Sequence, residues 1–251
     1  MRFKGKSIFK GRVEGECVVY NSGLSFLGGV DPTKGIINEN GKNISDRVLS
    51  FERSIGSTVG SYIIYGLKYY GNPPMAMIVN VPDETFITGA LVAEIPSLAY
   101  ISSYIFQDGD IVHIDGDYVE IDVDLKEVVT SILVHGDEML LLRRSSRVST
   151  YQGKWAGVSG YIEGLDPQST AIKEIKEETG IENPVLIRNG GKIYVRGGKR
   201  LWAVHTFLFH LKNKNVNIDW EHTEYKWIKL KELKNFETVP GLDRVVQNLL
   251  L

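Results

Sequence analysis

The stretch that decides the fold is WAGVSGYIEGLDPQSTAIKEIKEETGI, from Trp155 to Ile181. Its Asp166-Pro167 pair is typical of a helix start, because the aspartate caps free N–H groups and proline fits the first helical turn. Gly180 suits the left-handed conformation that ends many helices. We therefore predict one helix between Asp166 and Gly180.

Two sets of side chains repeat along this helix at spacings of three and four residues. The apolar set, which predicts a buried face, is Ala171, Ile172 and Ile175. The carboxylate set is Glu174, Glu177 and Glu178. Like charges on one face repel each other, whereas clustered carboxylate oxygens are preferred ligands of a hard cation such as Mg²⁺ or Mn²⁺. The spacing indicates either a metal-binding ridge or a merely acidic helix face.

This segment resembles the Nudix box, which its family writes as G-x5-E-x7-R-E-U-x-E-E-x-G-U, with U aliphatic. The matching residues are Gly160, Glu174-Ile175, Glu177-Glu178 and Gly180-Ile181. Two positions depart from the box: Lys173 stands where the family has arginine, and Leu165 stands where it has glutamate, in a loop that is one residue short. The resemblance extends over residues 128–250 and implies a Nudix α/β/α sandwich with a mixed sheet.

The Nudix resemblance also implies a reaction, the metal-dependent hydrolysis of a nucleoside diphosphate linked to another group, or of another diphosphate. The implied metal ligands, for Mg²⁺ or Mn²⁺, are Glu174, Glu177 and Glu178. The candidates for the base that activates water are Glu177, Glu178 and Glu221, with Glu224 as a second choice for the last. The departures at Leu165 and Lys173 leave an alternative, a weakly catalytic module that senses a ligand.

Cysteine placement excludes one other reaction. Isopentenyl diphosphate isomerases of the same architecture use a cysteine for proton transfer, and residues 127–251 contain none. We therefore do not expect that isomerisation here.

The chain is predicted to divide near residue 124. Residues 110–123 alternate apolar and polar side chains around Asp115-Gly116-Asp117, which predicts a β-hairpin. A second hairpin is predicted around His135-Gly136-Asp137. We expect two domains, residues 1–124 and 125–251.

The first domain mixes strand and helix signals. Strands are predicted at residues 12–20, 46–51, 75–81 and 110–122, and helices near 57–70 and 84–94. The turn from Gly56 to Ser61 precedes the first helix and suits an anion, because free N–H groups and the positive end of the helix dipole point out of it. The alternative is an ordinary helix cap that uses the hydroxyl of Ser57 or Thr58.

The first half resembles the small, swivelling β/β/α domain of the aconitase X family, which includes the small subunit of archaeal phosphomevalonate dehydratase. The matching stretches are Gly15-Glu16, Leu24 to Asp31, Gly56 to Tyr62, Pro74 to Ala76, Gly89 to Glu94 and Gly109 to Val112. The stretch Ile95-Pro96-Ser97 departs from the family pattern of an aliphatic residue followed by Pro-Val.

The aconitase X resemblance implies that this half works with a large partner subunit that carries an iron–sulfur cluster. It implies that Ser57 accepts the proton, and it makes Gly56 and Thr58 candidates for substrate binding. An alternative left open is that residues 1–124 form a scaffold for targeting or dimerisation.

Composition limits the remaining possibilities. The 251 residues carry a formal net charge of −2, so no nucleic-acid partner is expected. No apolar run approaches the ~18 residues of a membrane span, so no membrane partner is expected either. A single cysteine, Cys17, favours the reducing cytoplasm.

Overall fold

The computed structural model describes residues 1–250 and contains two compact units. The first unit comprises Met1–Asp124 together with Arg196–Leu201. The second comprises Leu125–Val195 and the described residues from Trp202 onward. No helix within residues 1–250 has the length and apolar content needed to cross a membrane.

The first unit is built around a mixed sheet. Its strands are β1 (Arg2–Lys4), β2 (Lys6–Phe9), β3 (Arg12–Leu24), β4 (Val30–Asp31), β5 (Ile36–Ile37), β6 (Val48–Ser54), β7 (Ala76–Val81), β8 (Ser97–Ala99), β9 (Ile111–Asp115) and β10 (Tyr118–Glu120). Eight strands form the sheet in the order β1-β10-β9-β3-β6-β7-β8-β2, and β4 pairs with β5 separately. The strands from β3 to β8 run parallel, and the flanking pairs are antiparallel.

Strand β3 joins the two halves of this sheet. Its residues 12–16 pair antiparallel with β9, and its residues 17–24 pair parallel with β6. The helices of this unit are α1 (Phe26–Gly29), α2 (Gly60–Tyr69), α3 (Glu84–Ala93) and a 3-10 helix at Ser103–Ile105. Three phenylalanines fill the core beneath them, since Phe26, Phe51 and Phe86 are almost fully buried with ring centroids 5.3–6.2 Å apart.

The second unit has one sheet between two helices. Its strands are β11 (Asp124–His135), β12 (Glu138–Arg144), β13 (Trp155–Ala156), β14 (Val158–Tyr161), β15 (Val185–Gly197), β16 (Arg200–His210) and β17 (His222–Lys229). Its helices are α4 (Pro167–Thr179), α5 (Leu242–Leu250) and a 3-10 helix at Leu230–Asn235. The sheet order is β13-β12-β11-β16-β15, with β14 paired to β11 and β17 paired to β12.

Alternate residues of β11 face two separate cores. Ile132 packs in one core with Val245 of α5, while Val129 packs in the other with Ile175 of α4. Helices therefore cover both faces of the sheet, which confirms the two-domain α/β fold with a Nudix-type sandwich in the second half.

The predicted ends of helix α4 are confirmed. The Asp166 carboxylate accepts hydrogen bonds from the N–H groups of Gln168 at 3.0 Å and Ser169 at 3.1 Å. Gly180 closes the helix with φ +71°. Both predicted hairpins are present as well, with Gly116 at φ +58° and Gly136 at φ +61° in their turns.

One prediction about the buried face of α4 is wrong. Ala171 and Ile175 are fully buried, but Ile172 is 37% exposed. Successive helical residues turn by about 100°, so Ile172 lies about 100° from Ala171 and leaves the buried stripe. Glu178 takes its place, since Ala171, Ile175 and Glu178 fall within about 60° of one another. Glu178 is accordingly only 4% exposed.

The starts of two other elements can be compared with the prediction. The helix predicted near residues 57–70 is α2. It begins at Gly60, three residues later than predicted, because residues 57–59 form the turn before it. Strand β11 begins at Asp124, so the predicted domain boundary near residue 124 coincides with the start of a strand.

We expect Ile175→Ala to lower the free energy of unfolding of the second unit by about 2–4 kcal/mol, because it leaves a cavity in a packed core. Ile172→Ala on the exposed side of α4 is the matched control and should cost well under half as much. All four tryptophans lie between Trp155 and Trp227, so urea unfolding followed by tryptophan fluorescence reports on this unit. Equal losses for the two variants would contradict the observed orientation of α4.

Candidate functional site

A cavity of about 580 Å³ opens beside α4 in the second unit. Its charged side chains are Glu163, Glu174, Glu177, Glu221, Arg144, Arg147 and Lys173. The rest of its wall includes several valines and the aromatic residues Tyr151 and Trp202, whose ring centroids are 5.9 Å apart. A cavity that combines convergent charged groups with an apolar and aromatic wall is typical of a small-molecule site.

Strand β14 lies directly against the side chain of Glu174 at the opening glycine of the box. A Cβ atom on Gly160 would lie 2.2 Å from Cδ of Glu174. Glu174 is thereby held half-buried against the strand, and this burial raises the pKa of its carboxyl group. The neighbouring carboxylates of Glu177 and Glu221 raise the same pKa further.

Glu178 is the most buried charged group of the site. Its Oε1 accepts a hydrogen bond from the N–H of Ser159 at 3.2 Å, while its Oε2 is buried with no hydrogen-bond partner among residues 1–250. Burial raises the pKa of this carboxyl group well above its usual value. A buried carboxylate oxygen without a partner is costly unless something else binds it.

A buried histidine faces that oxygen. Nε2 of His222 lies 3.6 Å from Oε2 of Glu178, and Nδ1 of His222 lies 2.9 Å from Oδ1 of Asp219. Burial lowers the pKa of His222. The sequence argument missed this residue, although His222 directly follows Glu221 in the segment that carries the resemblance.

The third carboxylate of the ridge points outward. Glu177 is exposed, and its Oε2 lies 3.3 Å from Nζ of Lys173, which is also 3.8 Å from Oε1 of Glu174. Lys173 therefore forms ion pairs with two members of the ridge. Leu165 is 48% exposed.

The two later glutamates have different surroundings. Glu221 lines the cavity and contributes to the raised pKa values of Glu174 and Glu178. Glu224 instead lies 3.4 Å from Arg143 and 3.2 Å from Lys226, which lower the pKa of its carboxyl group. Of the two candidates, the structure brings Glu221 into the cavity.

Whether this site suits a divalent cation can be judged from its donors. Within residues 1–250, no three His, Cys, Asp or Glu side chains already converge as a metal cluster. The donors nevertheless fit a hard cation, because they are carboxylate oxygens on one helix and Oε2 of Glu178 is buried without a partner. Lys173 pairs with Glu174 and Glu177 and offsets part of the negative charge of the ridge.

The glycine-serine turn of the first unit follows β6 at the carboxyl edge of the parallel strands. Gly56 adopts φ +117°, and a Cβ there would lie 2.7 Å from Oγ of Ser25. Ser57 and Thr58 are both exposed. The helix begins at Gly60 with Val59 as its cap residue and no side-chain hydrogen bond from Val59. Oγ of Ser57 accepts a hydrogen bond from the N–H of Val59 at 3.4 Å in the turn before it, so the capping role of Ser57 stays an alternative.

Comparison with known proteins matches both halves of the chain. The aconitase X swivel domain matches residues 2–123, and the NUDIX domain matches residues 125–249. The phosphomevalonate dehydratase small subunit of Thermococcus sibiricus is 43% identical over 119 residues, which are 45% of this chain and 92% of that protein.

Two solved structures resemble separate halves. The crystal structure of aconitase X from Thermococcus kodakaraensis in its holo form is 39% identical and covers 48% of this chain and 98% of that chain, with a TM-score of 0.47. The MutT protein from Methanosarcina mazei is 24% identical and covers 51% of this chain and 96% of that chain, with a TM-score of 0.45. Its second half matches the NUDIX domain, and on its match to the small-subunit sequences the chain belongs to the aconitase X swivel family.

Proposed function

We propose that the second unit hydrolyses a diphosphate bond with the help of a divalent cation. The observation that carries this proposal is Glu178, a buried carboxylate with an unpartnered oxygen on the helix that borders the cavity. Keeping such a group destabilises the fold, which favours a functional reason for its presence.

The position of each residue in the site indicates its role. Glu174, Glu177 and Glu178 would hold Mg²⁺ or Mn²⁺, which polarises phosphate oxygens and lowers the pKa of water when bound. Arg144 and Arg147 line the same cavity and are suited to phosphate oxygens, because guanidinium groups donate paired hydrogen bonds.

A carboxylate must also take the proton from the attacking water. Glu221 lines the cavity and is the favoured base, while Glu177 and Glu178 are the remaining candidates. Ser159 and Gly160 hold the ridge in place, since the first donates to Glu178 and the second lets Glu174 approach the strand.

The alternative function is ligand sensing with weak turnover. Two departures from the box support it. Lys173 is paired with Glu177 and Glu174, and Leu165 has no carboxylate that could attract Lys173 away from them. A screen of metal-dependent hydrolysis of ADP-ribose, nucleotides and prenyl diphosphates, with the products separated by chromatography, distinguishes the two functions, since a sensor binds without rapid hydrolysis.

Glu178→Gln should reduce metal-dependent hydrolysis by about 10²-fold or more, because it removes a ligand charge. The same variant should stabilise the metal-free protein at neutral pH. The pKa of Glu178 is raised in the folded state, so stability falls as pH rises above the usual carboxyl pKa, and glutamine removes that fall.

The measurements are phosphate release and thermal unfolding across pH 4–8. Glu182→Gln is the control, because Glu182 is exposed, lies off the ridge and pairs with Lys176 at 2.9 Å. It should change neither quantity. Unchanged turnover in Glu178→Gln would rule out the proposed metal site.

Leu165→Glu should raise the rate of hydrolysis several-fold. A carboxylate in this exposed loop can attract Lys173 away from Glu177, so that Glu177 becomes available to the metal. The measurement is the Mg²⁺ concentration that gives half-maximal rate, which should fall. Leu165→Gln serves as the uncharged control, and an equal effect of both variants would exclude this explanation.

We propose that the first unit acts as the small subunit of an aconitase X-type phosphomevalonate dehydratase. The support is the 43% identity to a protein of that name over 92% of its length. Elimination of water needs a Lewis acid on the leaving hydroxyl and a base on the adjacent carbon. Cys17 is the single cysteine and is buried, so an iron–sulfur cluster must come from a large partner subunit.

Within this proposal Ser57 is the base. It is exposed in a turn that needs the positive φ of Gly56, and it precedes the amino end of α2, whose dipole favours a developing negative charge. Gly56 and Thr58 would contact the substrate from the same turn.

The full chain alone should not dehydrate phosphomevalonate, and addition of the matching large subunit should produce activity. In that complex, Ser57→Ala should lower kcat by about 10²-fold or more through loss of the proton acceptor. Association, measured by titration calorimetry, should be nearly unchanged, and Ser22→Ala at another exposed serine is the control. Full activity of Ser57→Ala in the complex would place the base on the partner.

A further inference from the structure

We infer that the second unit takes a diphosphate whose organic group is a hydrocarbon chain rather than a nucleoside. This inference rests on the proposed hydrolase function and names its substrate class. The observation behind it is the composition of the cavity wall away from the charged residues.

The floor of the cavity is continuous with a hydrophobic core. Val128 of β11, Val195 of β15 and Val204 of β16 line the cavity and also belong to the core cluster beneath α5. Val239 and Trp202 extend the same surface. These strands are neighbours in the order β11-β16-β15, so the side chains form one apolar surface.

This surface and the acidic ridge line the same cavity. Val128 faces the core beneath α5 and Gly160 of the paired strand lies against Glu174 on the other face, and the cavity reaches both. A diphosphate bound near the ridge therefore places its organic group over the valine floor.

A nucleoside is poorly matched to this floor. Its ribose hydroxyls and base edges need hydrogen-bond partners when buried, and valine side chains provide none. The cavity also has hydroxyl side chains, but those of Thr130 and Ser159 hydrogen-bond to each other at 3.1 Å, and that of Thr150 accepts a hydrogen bond from Arg144 at 3.4 Å. The described lining residues include no asparagine or glutamine to read a base edge. Tyr151 and Trp202 contact each other at an interplanar angle of 51°, so they form one wall and not a parallel slot for a base.

A branched hydrocarbon chain is well matched for the same reasons. It gains free energy from burial against valine and tryptophan in proportion to the area covered, and it demands no directional partner. The cationic side chains at the charged end, among them Arg147, remain available to the diphosphate.

The reaction is balanced with water as the single co-reactant. A water oxygen forms a bond to one phosphorus of the diphosphate. The bond between that phosphorus and the bridging oxygen, on the side opposite the water, breaks. The products are the alkyl monophosphate and inorganic phosphate, and the proton of the water passes to a carboxylate of the site before release.

The test compares two probes that differ only in the organic group. Geranyl methylenediphosphonate and adenosine methylenediphosphonate both resist hydrolysis, so calorimetric titration of the full chain with Mg²⁺ measures binding alone. We expect the geranyl probe to bind at least about tenfold more tightly and with the more negative heat-capacity change, because it buries more apolar surface.

Val239→Thr places a hydroxyl on the half-buried floor without changing side-chain volume. It should lower the affinity for the geranyl probe about fivefold, because the hydroxyl is then buried against hydrocarbon. The affinity for the adenosine probe should change by less than about twofold. Val185→Thr, at an exposed position of β15, is the matched control and should affect neither. Thermal unfolding verifies that both variants fold.

Turnover of geranyl diphosphate and of ADP-ribose separates this inference from the hydrolase function. Tighter binding of the adenosine probe, no binding of either probe, or equal effects of Val239→Thr on both would overturn the inference. If ADP-ribose is then hydrolysed, the hydrolase function stands alone. Val239-dependent binding of the geranyl probe without hydrolysis of either substrate supports the preference for a hydrocarbon group and overturns the hydrolase function.

Discussion

The position of Glu178 on the buried stripe of α4 is the constraint on which the second unit depends. Packing of Ala171 and Ile175 against the sheet also buries the residue that follows them at i+7 and i+3. The hydrophobic effect that holds the helix in place therefore forces a carboxylate out of water. Ser159 satisfies one of its oxygens, and the other stays unpartnered. The site is thus held by the same packing that stabilises the helix, at the expense of some stability.

Close backbone approach completes this arrangement. Because Gly160 has no side chain, β14 can lie against Glu174, whose carboxylate lines the same cavity as Val128 and the other floor valines. Charged and apolar surfaces then meet in one cavity. An amphipathic substrate, with a diphosphate at one end and a hydrocarbon at the other, matches that division.

In the first unit the candidate functional residues lie at the surface. Its core is closed by three phenylalanines, while the glycine-serine turn stays exposed at the carboxyl edge of the parallel strands. Cys17, the residue type that could ligate iron, is buried inside. A unit with an exposed hydroxyl and no metal ligands at its surface turn is suited to complete a site on another protein, in keeping with the proposed large partner.

The sequence by itself determined the features that depend on local chemistry. Asp166 and Gly180 set the ends of α4, the two hairpin turns were readable from their glycines, and the spacing of the box pointed to the carboxylate ridge. Only the tertiary structure decided which carboxylates are buried, that Glu221 and not Glu224 enters the cavity, and that His222 faces Glu178. These outcomes depend on residues far apart in the chain that approach through the packing of strands and helices. Helical periodicity alone could not assign Ile172 to solvent, since the sheet selects which part of the helix surface it covers.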